Sequence, residues 1–133
     1  MKIKLILQLS LFGLAMAIAT VFFISSTNEP FCWLAIIIIC AYIIAKKCTE
    51  KYFLNGLCVG LVNSVWVTAA HIIFFETYLT NHPQEAAMVT HMPFPDSPRL
   101  MMLMTGPVIG LISGLFIGLF SLCALKFTKK MEK

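Results

Sequence analysis

Three histidines, His71, His82 and His91, fall within one stretch of 21 residues, with Glu76, Glu85 and Asp96 in or beside it. Imidazole with carboxylate is a ligand set for zinc, and Met88, His91 and Met92 would suit copper(I). The spacing argues against such a centre. There is no HExxH and no Cys/His cluster, and the i,i+3 pairs His82/Glu85 and Met88/His91 stand alone. The three histidines are therefore weak metal candidates, and no cofactor is expected. Five cysteines, at 32, 40, 48, 58 and 123, are odd in number and include no CxxC. Cys40, Cys58 and Cys123 lie in apolar stretches and read as small buried hydrophobes, so no disulfide framework is expected.

A second set of polar groups lies inside an apolar run. At about 100° per residue, Gly60 and His71 lie within roughly 20° of each other around a helix. Asn63, Ser64 and Thr68 share that half of the circumference, while Leu57, Leu61, Val65, Trp66 and Ile72 take the other directions. An amide or imidazole against lipid is costly, so this face is expected to point into a bundle. Asn63, Ser64, Thr68 and His71, with Glu76 beyond them, form a candidate polar path or ligand site. The plain alternative is a neutral histidine hydrogen-bonded to a neighbouring helix. Ser64 and His71 are about 10 Å apart along the axis, too far for a nucleophile and its base. No GxSxG, Walker A, dinucleotide fingerprint or paired intramembrane carboxylate is present, so no enzyme is expected.

The elements that must position these groups can be derived from composition. The chain has 133 residues, of which 59% are hydrophobic and 12% charged, and its mean hydropathy is +0.89. Soluble domains carry about 25% charged residues, and a small one has too little interior to hide this much apolar surface. Four apolar runs are expected to form helices at about 3–25, 31–48, 52–78 and 98–127. A bilayer core needs roughly 20 helical residues. The second run is short and spans if Lys46 and Lys47 snorkel. Its Ile-rich stretch would suit a buried strand in water, but in lipid a lone strand leaves its backbone unpaired. The first run also has the shape of a signal peptide, with Ala15-Met16-Ala17 and Ala17-Ile18-Ala19 as cleavage sites. Its continuation through Val21-Phe22-Phe23-Ile24 favours a retained helix. The fold class expected is all-α: one polytopic membrane domain over 1–133, a four-helix transmembrane bundle with a short interfacial helix in its outer loop.

Small residues recur at i,i+4. The fourth run carries Gly106, Gly110, Gly114 and Gly118, and the third carries Gly56, Gly60, Ser64 and Thr68. Lipid offers no hydrophobic drive to pair helices, so close backbone approach supplies van der Waals contact instead. The rows are expected to pack the third and fourth helices within one subunit, or to join subunits into an oligomer. Gly13 and Ala17 make a weaker version in the first run. Pro107 is expected to kink or loosen the fourth helix.

Nine of the ten basic residues, Lys2, Lys4, Lys46, Lys47, Lys51, Lys126, Lys129, Lys130 and Lys133, fall on one side of a four-span threading; Arg99 falls on the other. By the positive-inside rule both termini face the cytoplasm of an inner (plasma) membrane. The loop at 79–97 then lies outside. Pro83, Gln84 and Glu85 start a short helix in it, and Asp96 or Ser97 caps the fourth helix with Pro98 in its first position. The lysines suit anionic lipid headgroups, and no basic stripe with interleaved aromatics points to nucleic acid. The pattern resembles small four-helix bacterial membrane proteins as a class, which transfers no residue roles. The expected partners are the bilayer, a second copy or another membrane protein. The function expected is a non-enzymatic scaffold or accessory subunit. The alternatives are a small transporter or channel subunit using the polar path, or a metal or small-ligand site at the outer mouth.

Overall fold

A computed structural model describes residues 1–131. Its six helices are, in order, α1 (Ile3–Phe22), α2 (Glu29–Lys47), α3 (Tyr52–Ile73), α4 (Phe75–Asn81), α5 (Pro83–Val89) and α6 (Pro98–Met131). No strand occurs among the described residues. α1, α2, α3 and α6 are each long and apolar enough to cross a bilayer, so the chain is an all-α membrane bundle. α6 has 34 residues and at 1.5 Å per residue runs roughly 50 Å, well beyond a hydrocarbon core of about 30 Å.

Prolines mark three helix starts: Pro30 in the first turn of α2, Pro83 in α5 and Pro98 in α6. The first turn tolerates proline because its N–H has no intrahelical partner. α6 continues unbroken through Pro107, whose ring lies on the exposed face of the helix. The third apolar run does not form one helix to residue 78. α3 ends at Ile73, Phe74 adopts φ −103°, ψ 37°, and α4 begins at Phe75. Neither glycine nor proline stands at this break. What it achieves is tertiary: it lays α4 over the end of the bundle, against α1.

The four long helices alternate in direction. At one end the Lys2 ammonium meets the Lys47 carbonyl, and the Lys2 backbone N–H donates to Asn55 Oδ1 at 3.1 Å. At the other, Asn81 Nδ2 donates to the Val21 carbonyl at 2.6 Å and Arg99 Nε to the Ile72 carbonyl at 3.2 Å. α3 packs between α1 and α6, and α2 lies against α6. The apolar core sits at the lysine-bearing end, where Leu5, Ile6, Leu9, Cys40, Ile44, Val59 and Ile117 are buried together. Cys48 closes that end; burial pushes its thiol above the usual range, against the opposing pull of Lys2 and the N-terminus. α3 and α6 approach through their small residues. A methyl group on Gly60 would overlap the Gly114 backbone and lie 2.8 Å from the Gly110 carbonyl. One on Gly56 would sit 2.5 Å from the Gly118 nitrogen, and one on Gly114 2.6 Å from the Leu57 carbonyl. Such approach is available because these glycines carry no Cβ.

Candidate functional site

The bundle is filled at the lysine-bearing end and open at the other. Between the first half of α2, the second half of α3 and the first half of α6 lies a cleft of about 380 Å³. Its walls are mostly apolar, with Ile36, Ile37, Val67, Ile109, Ile112 and Phe116 among them. The polar residues of α3 reach it unequally. Ser64 and Thr68 line it, but both press on α6: a methyl on Gly110 would strike Ser64, and one on Gly106 would strike Thr68. Asn63 also borders the cleft and fills the notch at Gly13 of α1; its Oδ1 is buried with no hydrogen-bond partner. Three hydroxyls along the cleft donate to carbonyls of their own helices. Ser64 donates to Leu61 at 2.7 Å, Thr105 to Met101 at 2.9 Å and Ser113 to Ile109 at 2.5 Å.

The mouth of the cleft is built by the break at Phe74. In an unbroken helix His71 and Tyr78 would be about 10.5 Å apart along the axis. Instead their rings stack with centroids 4.0 Å apart and 24° between planes. Tyr78 stacks in turn on His82 at 4.2 Å, four residues on. At one end of this three-ring column, His71 Nε2 lies 3.1 Å from Thr20 Oγ1 of α1, whose hydroxyl donates to the Ala17 carbonyl at 3.0 Å. With its hydrogen so placed, the hydroxyl accepts from His71. At the other end, His82 is completely buried, with Nδ1 2.9 Å from the Tyr78 carbonyl and Nε2 3.6 Å from Glu29 Oε2. Glu29 accepts from Trp33 Nε1 at 3.3 Å, one turn along α2. Beside them Ser26 donates to Glu85 at 2.7 Å. Burial pushes the Tyr78 phenol up, and the nearby Glu29 and Glu85 charges push it further, so Tyr78 stays neutral through the physiological range.

A carbonyl oxygen only accepts, so His82 Nδ1 carries a hydrogen. Nε2 has no hydrogen-bond partner: the Glu29 oxygen 3.6 Å away is a close contact, too long for a hydrogen bond, and Glu29 is only partly buried.

The residues singled out by sequence separate into three groups. Asn63, Ser64, Thr68, His71 and Gly106 border one cleft. Glu76 is exposed on α4 and His91 is exposed beyond α5, so neither joins it. His82 approaches His71 only through the Tyr78 ring, and no three His, Cys, Asp or Glu side chains converge among the described residues. Thr20, Glu29, Trp33 and Tyr78 were not singled out. Glu29 and Trp33, like Tyr78 and His82, stand at i,i+4, which is the only local trace of these pairs. No family model, no curated protein and no solved structure matches the chain.

Proposed function

We propose that the protein is a non-enzymatic, multi-pass protein of a bacterial inner (plasma) membrane that holds a small amphiphilic molecule in the cleft between α2, α3 and α6. The single observation that carries this reading is the cleft itself: about 380 Å³, with mostly apolar walls and a few polar groups. Small-molecule sites have this make-up, mostly apolar walls with a few placed polar groups, and volumes of roughly 300–1,000 Å³. Three of the cleft hydroxyls are tied to carbonyls rather than to a general base, which supports a binding rather than a catalytic role. The lysine distribution supports cytoplasmic termini, with the cleft mouth toward the outer face. The glycine rows support tight packing of α3 on α6 within one subunit; a self-associating scaffold would have to use another face. The α3 polar residues divide between α1 and α6, which favours a bound ligand over a continuous aqueous path.

Native mass spectrometry from mild detergent tests the reading. The expected result is a monomer carrying an added small-molecule mass. In Thr105→Trp, which puts an indole at an exposed residue of the cleft wall, that mass should be lost while the melting temperature stays within a few degrees. A wild-type protein with no adduct, and no thermal shift across a panel of amphiphiles, would overturn it.

A further inference from the structure

The chemistry of the cleft mouth narrows the ligand class, an inference that rests on the cleft being a binding site. Glu29 is the one carboxylate among the residues lining the cleft, and no lysine or arginine lines it. The one guanidinium of the chain, Arg99, is turned aside, with Nε on the Ile72 carbonyl and Cζ 4.8 Å from the Phe75 ring centroid. Trp33 stands beside the carboxylate with its Nε1 on Oε1, while both faces of Tyr78 are covered by His71 and His82; the remaining walls are mostly apolar. One negative charge, an indole beside it and mostly apolar walls complement a lipophilic monocation. A phosphate-bearing lipid headgroup would find no cationic side chain in the cleft.

The geometry points to Glu29 as the recognition point for a lipophilic organic cation, which meets the carboxylate from the open side of the cleft. The 3.6 Å between His82 Nε2 and Glu29 Oε2 is too short to seat a ligand nitrogen or phosphorus centre between the two atoms, so the approach is from the cleft. Trp33 Nε1 donates to Glu29 Oε1 at 3.3 Å and holds the carboxylate at the mouth. Glu85, the other carboxylate nearby, does not line the cleft and accepts from Ser26.

The test uses two ions of one shape and opposite charge, tetraphenylphosphonium and tetraphenylborate, in equilibrium dialysis against the whole protein in a non-ionic detergent. Tetraphenylphosphonium is expected to bind at least about tenfold more tightly than tetraphenylborate, and Glu29→Gln to remove at least about that factor. Wild-type comparison of the two ions needs no variant, so a poorly folded Glu29→Gln leaves the answer intact. Equal binding of both ions overturns the cation assignment. Displacement of the cation by phosphatidylethanolamine also overturns the assignment, in favour of a lipid occupant. If both ions bind alike and Thr105→Trp abolishes both, the ligand class fails and the cleft stands. If neither binds and Thr105→Trp changes nothing, both readings fail.

Discussion

Replacing Gly60 by alanine tests whether backbone contact between α3 and α6 holds the bundle together. The added methyl would overlap the Gly114 backbone and stand 2.8 Å from the Gly110 carbonyl, where ordinary contact is 3.4–4 Å. Backbone cannot rotate away, so the helices must part by about 1 Å. A gap of that size forfeits a quarter to a half of each dispersion well of 0.1–0.2 kcal/mol. Over some tens of atom pairs along the crossing, the loss is about 2–3 kcal/mol. Alanine returns up to about 1 kcal/mol as the better helix former, leaving a net cost of about 1–2 kcal/mol. Gly106→Ala is the matched control. There the three nearest atoms all belong to the Thr68 side chain, which can change rotamer, so the substitution should fall within about 1 kcal/mol of wild type. Reversible unfolding by SDS titration in mixed micelles measures both. The double variant Gly60→Ala/Gly114→Ala should cost less than the sum of its singles, because the first methyl has already parted the helices. If Gly60→Ala and Gly106→Ala unfold within 0.5 kcal/mol of each other, a measurement error of about that size being usual, the contact argument is wrong.

Lys51 precedes α3 with φ 53° and ψ 37°, so Lys51→Gly should raise stability by about 0.5–1 kcal/mol in the same titration. Asn55 is buried and joins α1 to the start of α3, accepting from the Lys2 N–H at 3.1 Å and donating to the Lys51 carbonyl at 2.9 Å. Asn55→Ala should cost about 1–3 kcal/mol, and a neutral result would show that water replaces the amide. The buried Cys48 thiol, held above its ordinary range, should resist maleimide at pH 7.5 in the folded protein and react at once in SDS. A thiol raised in the folded state favours folding below the unfolded thiol range and loses that contribution as pH climbs through it. Unfolding should therefore ease above about pH 9 in wild type and less so in Cys48→Ala.

Much of the fold is local and so readable along the chain. Long apolar runs have to be helices in lipid because the backbone must satisfy itself. Pro83 and Pro98 mark helix starts because proline lacks only the hydrogen bond that a first turn does not make. The i,i+4 periodicity brings Gly56, Gly60, Ser64 and Thr68 onto one face of α3, and the four glycines onto one face of α6, whatever the partner. Three of the polar residues of α3 grouped by that periodicity, with His71, do border a common cleft.

The rest depended on groups far apart in sequence. The break at Phe74 has no glycine or proline to announce it, and the contact it makes possible, α4 against α1 with Asn81 on the Val21 carbonyl, spans 60 residues. That break turns Tyr78 and His82 back over His71, so residues that would point away along one straight helix become a stacked column. Glu29 falls just before the second apolar run; only the tertiary structure sets it against His82, far along the chain. Periodicity along one helix tells which residues share a face. Which opposing face they meet, and so whether a carboxylate lies at the chain's surface or at the mouth of a cleft, is decided when separate helices pack and a buried charge must find its counterpart.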